Sequence, residues 1–302
     1  MLKVIPSQVK VSEIHQYMLD SIAPRPIAFV STIDKDGHVN LSPFSFFNAF
    51  GANPPILIFS PALRGRDGAT KNTLDNIKEV KECVINIVNY NMVQQMSLAS
   101  TEYPKGVNEF VKAGLTEEKS EMVTPPRVKE APVQIECIVK DVISTGDKGG
   151  AAQLVICEIA IMHIKEEVIG DNGRIDPIKI DQVARMGGNW YTRAIKGLFD
   201  IPKPLTKLGI GVDQLPASIK NSSILTGNDL GMLGNSERFP TQEEISEFKN
   251  GEEVKRFLHA LETDSENLTT AVHIAAHNLL SENKINDALL ILMSIEKNRF
   301  HL

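Results

Sequence analysis

The chain has 302 residues, of which 42% are hydrophobic and 23% charged, enough length to bury a full core and to make about two domains. Its 38 acidic and 32 basic residues give a formal charge of -6 with no long basic run, which argues against nucleic acid or an anionic membrane as a partner. No apolar run reaches the roughly 18 to 20 residues of a membrane span, and the first residues lack a basic-then-apolar leader, so a cytoplasmic protein is expected.

Residues Ile27 to Ile33 form an apolar, β-branched run, and Asp34-Lys35-Asp36-Gly37 has turn chemistry before a second run, His38 to Phe44. A β-hairpin is predicted. Pro54-Pro55 opens Ile56 to Phe59, whose continuous apolarity predicts a strand buried on both faces. A loop rich in glycine and arginine (Arg64, Gly65, Arg66, Gly68) precedes Leu74, Ile77 and Val80, whose spacing predicts a short helix from Thr70 to near Glu82. Further strands are predicted over Cys83 to Val88, Val133 to Ser144 and Ala152 to Ile164, the last two joined by a turn with Gly146, Gly149 and Gly150. The three cysteines, Cys83, Cys137 and Cys157, sit in these apolar stretches and read as reduced core thiols.

The character changes after Ala194. Pro202, Pro204, Gly209 and Gly211 and a polar cluster from Asn221 to Ser236 predict an irregular connector over 196–240. Thr241 and Glu244 form a capping-box pattern that opens a helix to about Leu261, and two more helices follow, Ser265 to Ser281 and Ile285 to Lys297. The expected organisation is therefore a mainly β unit with inserted helices over 1–195, the connector, and a helical extension over 241–302.

Two stretches carry candidate chemistry. Asn40 to Asn48 alternates small hydroxyls with aromatics, a pattern that also suits a strand end with an aromatic plug. Thr70-Lys71-Asn72-Thr73 starts a helix, where unpaired N–H groups, the helix dipole, a cation and two hydroxyls suit a phosphate; a plain cap with a solvated lysine is the simpler alternative. No glycine-rich loop of a dinucleotide site is present, so a mononucleotide phosphate is the more natural ligand.

With Arg25 to Thr32, Asn40 to Asn48, Pro55 to Ser60, Lys71-Asn72-Thr73 with Asn76, and Arg185 to Tyr191 in this order, residues 20–195 resemble the flavin reductase-like proteins with an FMN-binding split β-barrel, flavoredoxins included. The resemblance implies an FMN oxidoreductase passing reducing equivalents from NADH or NADPH through FMN to an acceptor, which could be a protein, and a homodimer with FMN near the subunit interface. Carried onto this chain, Ser45, Phe46, Phe47, Asn48 and Ser60 would flank the ring. Lys71, Asn72 and Thr73 would hold the phosphate, and Arg185, Gly188 and Tyr191 would approach the site. No catalytic acid, base or nucleophile is implied. A flavoredoxin-like electron carrier, or a flavin-binding protein without nicotinamide oxidation, shares every one of these motifs. A zinc hydrolase around His273 and His277, spaced i and i+4, is the reading from another class; Ile274 stands where zinc peptidases carry a glutamate, and no metal is expected.

Overall fold

The computed structural model describes residues 1–201, 208–259 and 265–296, and the chain divides into two compact units, Met1–Phe199 and Asp200–Leu302. No helix among the described residues is long and apolar enough to cross a membrane.

The first unit is built on β1 (Ala28–Ile33), β2 (Val39–Phe44), β3 (Phe47–Ala52), β4 (Pro55–Phe59), β5 (Glu82–Ile87), β6 (Glu117–Glu118), β7 (Arg127–Val128), β8 (Val133–Ser144), β9 (Gln153–Ile164), β10 (Val183–Arg185) and β11 (Tyr191–Arg193). Seven of them make one antiparallel sheet in the order β2-β1-β5-β8-β9-β4-β3. The period-2 alternation of strands explains the two cores that flank it. Ala28 and Val30 face one core with Phe59, Cys83, Ile85, Cys137 and Cys157. Ile27 and Phe29 face the other, with Leu41, Met92, Met96 and Phe110. β1 is thus covered on both sides, which is why Ala28, Phe29 and Val30 follow one another without a polar residue. In β4, by contrast, only Leu57 and Phe59 are buried, while Ile56 and Ile58 are half-exposed. The expected two-faced burial fails there because only the Leu57 and Phe59 face meets a core; β4 contributes no residue to the second core, which covers the other face of β1.

Helices α1 (Val11–Ser21), α2 (Asn72–Glu79), α3 (Val93–Ala99), α4 (Glu109–Ala113) and α5 (Pro177–Ile180) are inserted between strands. The N-cap of α2 is Lys71 rather than Thr70, and the helix stops at Glu79 because Glu82 already belongs to β5. α1 was not foreseen, and none of its residues is buried.

The second unit contains α6 (Ala217–Lys220), α7 (Gly227–Gly234), α8 (Gln242–Asn250), α9 (Glu252–His259), α10 (Ser265–Ser281) and α11 (Ile285–Met293). Residues 196–240, expected to be irregular, carry α6 and α7, the latter opened by a Thr226/Asp229 capping box. Leu215, Ile219 and Leu233 from this stretch share a core with Val272, Leu280, Leu289 and Leu292, so the stretch belongs to the helical unit's own core. The single helix expected from Thr241 to about Leu261 is two, because Gly251 takes an extended backbone (φ -58°, ψ 133°) after Asn250. Its far end, and the expected end of the last helix at Lys297, lie outside the described residues.

Candidate functional site

Beyond β4 the chain runs from Ser60 to Thr70 in a loop seated on the β8–β9 turn. Leu63 N–H donates to the Ala151 carbonyl (3.0 Å) and Gly150 N–H to the Leu63 carbonyl (2.9 Å). The approach is close enough that a Cβ on Gly149 would stand 2.8 Å from the carbonyl oxygens of both Arg64 and Gly65. This seating opens a cleft of about 1030 Å³, bordered by Ile14, His15 and Met18 of α1, by Phe46, Ser60, Leu63 and Leu154, and at one end by Arg64, Lys71 and Glu102.

The charged end continues into a small hollow with Asn40, Asn72, Thr73, Ser100 and Tyr103. Lys71 is half-buried; its Nζ lies 5.2 Å from the centre of the Phe44 ring, and among the described residues no carboxylate comes within 4.0 Å of it. Burial pushes its ammonium below the ordinary lysine range; Glu102 opposes that, and Arg64 adds to it. Arg64 Nε is buried without a hydrogen-bond acceptor and lies 3.8 Å from Glu102, a carboxylate already engaged by Arg66 at 2.8 Å. No side chain caps α2. Thr73, 1% exposed, accepts from Asn40 Nδ2 (3.0 Å), which leaves its own hydroxyl proton to donate. The corner therefore gathers cations and donors that outnumber their acceptors.

Along the cleft wall, the Phe46 carbonyl accepts from Ser60 N–H (2.9 Å), and the Phe46 ring meets the His15 ring edge-on at 6.2 Å. Ser60 Oγ accepts from Gln153 N–H (3.1 Å), and Ser45 Oγ accepts from Arg25 Nε (3.4 Å). Phe47, next along the strand, packs its side chain against the core opposite Phe59, and Asn48 is exposed with its Oδ1 on Ala49 N–H. Neither side chain borders the cleft.

A family model described as "Flavin reductase like domain" matches residues 20–179. The chain belongs to that family. A protein of Aquifex aeolicus is 36% identical over 181 residues, 60% of this chain and 90% of its own length. Nitrilotriacetate monooxygenase component B from Bacillus cereus superposes with a TM-score of 0.62 at 30% identity, over 67% of this chain and 98% of its own. A protein with a split barrel domain from Shewanella frigidimarina gives 0.57 at 25% identity, over 65% and 95%. The β unit is accordingly a split barrel of the flavin reductase-like type, with inserted helices and a helical unit beyond the family domain.

The β10–β11 hairpin, which holds Arg185, Gly188 and Tyr191, also lies beyond the matched residues, and none of the three borders the cleft. The Arg185 guanidinium rests 4.6 Å from the Tyr191 ring centre, and Gly188 takes the left-handed conformation (φ +54°) that turns the hairpin. The eleven sequence candidates thus fall into three sets. Ser60, Lys71, Asn72 and Thr73 border the cleft or its corner with Phe46; Ser45, Phe47 and Asn48 adjoin Phe46 in the chain without bordering the cleft; the hairpin trio stands apart. Sequence reasoning missed Arg64, Glu102, Tyr103 and the α1 side chains. Arg64 was legible in the glycine- and arginine-rich loop just before α2, whereas nothing in the sequence joins Glu102 to it.

In the helical unit His273 and His277 share a helix face, but each has its own partner. His273 Nδ1 is paired with Ser222 Oγ (2.8 Å), and His277 Nδ1 with Asp229 Oδ2 (2.9 Å). Among the described residues, the one carboxylate and histidine cluster close enough to share a cation is Asp34, Asp36 and His38, where Asp34 accepts from the N–H groups of the other two within a turn.

Proposed function

We propose that the chain is an FMN-binding oxidoreductase of the flavin-reductase type, taking reducing equivalents from NADH or NADPH and passing them through FMN to an acceptor. The observation that supports this most is the donor surplus at the end of an otherwise apolar cleft: a half-buried Lys71 with no carboxylate in contact, an orphaned Arg64 Nε–H and an uncapped helix start. A dianionic phosphate answers all three, and the remaining volume suits a planar ring with its side chain.

In this reading Lys71, Arg64, Asn72 and Thr73 hold the phosphate, while Ser45, Phe46 and Ser60 flank the ring, with Phe47 and Asn48 contributing backbone. Ile14 and Met18 of α1 give the cleft an apolar border against which a ring can pack. FMN, when bound, supplies the two-electron chemistry, accepting a hydride from the nicotinamide. Binding, orientation and electrostatics are left to the protein, so no side-chain nucleophile or general base is required. Arg185, Gly188 and Tyr191 border no part of the cleft and are given no contact with FMN in this reading. A homodimer is part of the proposal, supported by the exposed apolar side chains of Met162 and Ile164, neighbours on one face of β9 that a second copy would cover. A protein acceptor fits the Bacillus cereus neighbour, which is itself one component of a monooxygenase.

The test is anaerobic absorbance spectroscopy of the FMN-loaded, desalted chain, with NADH and then NADPH added. Bleaching by either nicotinamide is expected. Bleaching by dithionite alone would refute the reductase activity and leave an electron carrier, and loss of FMN on desalting with no turnover of added FMN would refute the whole reading.

A further inference from the structure

Arg25 is the one arginine buried among the described residues, at 5% exposure. Its guanidinium donates to Ser45 Oγ (3.4 Å), to the Leu19 and Ile22 carbonyls at the end of α1 (2.5 and 2.8 Å), and to the Met186 carbonyl just past β10 (2.9 Å). Its backbone also bridges to Arg185 in both directions at 2.9 Å. Every acceptor is neutral. Among the described residues no carboxylate lies within 4.0 Å; the acid that bears on it, Asp20, also accepts from Gln16, and Arg185 adds like charge. Neutral acceptors satisfy the N–H groups but leave a buried unit charge without a counter-charge, which is costly unless an anion arrives. The charge is tied to the cleft through the chain: Met18, next to Leu19, and Phe46, next to Ser45, both border it.

We propose that Arg25 is a positioning residue for the redox step, presenting through Ser45 a buried positive charge that favours the reduced, negatively charged form of the bound ring. This rests on the FMN reading of the cleft. The oxidised ring takes up a hydride, two electrons and one proton, from NADH or NADPH, which leaves as the oxidised nicotinamide; the ring thereby gains one negative charge, and a second proton is not needed while that charge is stabilised.

The test is the midpoint potential of FMN bound to the full chain, measured against pH for wild type, Arg25→Lys and Arg25→Gln, with free FMN alongside. Loss of the charge in Arg25→Gln is expected to reduce the preference for reduced over oxidised FMN about tenfold, a fall of about 30 mV for a two-electron couple, while Arg25→Lys keeps most of it. In wild type, uptake of a single proton gives a slope of about 30 mV per pH unit, and this slope is expected to persist to lower pH than in free FMN. An Arg25→Gln protein that holds FMN at the wild-type potential overturns the proposal. Should that variant fail to fold or to hold FMN, the wild-type slope decides: a change to the two-proton slope at the same pH as free FMN, or above it, overturns the proposal as well. Failure of the wild-type chain to hold FMN overturns instead the reading on which it rests.

Discussion

Replacing Lys71 by methionine is expected to weaken FMN binding about 10- to 150-fold while leaving the FMN-free protein as stable as before or slightly more so. The first figure follows from losing one hydrogen bond to a charged group, about 1.5–3 kcal/mol. The second follows from the site itself: Lys71 is half-buried with no carboxylate within 4.0 Å among the described residues, and burial holds its ammonium below the ordinary range, so without phosphate the charge is a cost. Methionine keeps an apolar side chain of similar reach beside the Phe44 ring, over which the Lys71 Nζ stands at 5.2 Å, so packing is retained while the charge is lost. Fluorescence titration of FMN gives the affinity, and thermal melts with and without FMN give the stability. FMN should raise the melting temperature of wild type far more than that of the variant. A Kd within twofold of wild type, or a variant that melts well below wild type without FMN, would refute the reasoning, because the first removes the contact and the second makes the lysine structural.

Gly149→Ala places a methyl 2.8 Å from the Arg64 and Gly65 carbonyl oxygens, so it should displace the loop and lower FMN affinity several-fold with a near-native circular dichroism spectrum. Thr73→Ala leaves Asn40 Nδ2 without its acceptor in a buried site and should cost about 1–3 kcal/mol in denaturant unfolding even without FMN. The buried Glu136 carboxylate is pushed up by burial, but the N–H groups of Glu121 and Met122 and the His163 ring outweigh this and hold it below the ordinary value. Its contribution is present above the unfolded glutamate value of about 4.3 and is lost as pH falls through the lower folded value, so Glu136→Ala, about 3–5 kcal/mol less stable at pH 7, should lose less than wild type between pH 5 and 3. His273 is held below its ordinary value by burial, with Glu296 opposing; the unfolded chain takes up the proton first, so the helical unit should lose stability as pH falls below about 6.5, and His273→Gln should flatten that loss.

The elements that were legible from sequence are those whose own pattern forces them. β1 and β2 flank a strong turn, β8 and β9 are long and β-branched, and Thr241 with Glu244 forms the capping box that the α8 start shows. α1 was overlooked although Val11, Ile14 and Met18 recur at helical spacing, because that stripe borders the open cleft rather than a packed core and none of its residues is buried. β3 was hidden by exposure of Asn48 to Ala52 and by a register shift between Ala49 and Gly51, which breaks alternation. At the site, the phosphate corner could be read from helix-start chemistry at Lys71 to Thr73, since those residues are adjacent in sequence. Glu102 and Tyr103 could not, because they reach the corner from the far side of α3, and only the fold brings them there. The turning of Phe47 into the core was equally invisible: it depends on strand register opposite Phe59.

The most direct test of the central claim is a crystal structure of the chain with FMN. The phosphate is expected within hydrogen-bonding distance of Lys71 Nζ and Arg64 Nε at the start of α2, and the ring along the wall that Phe46 and Ser60 form, with Ser45 next to it. FMN bound elsewhere, or a phosphate placed away from that corner, would contradict it.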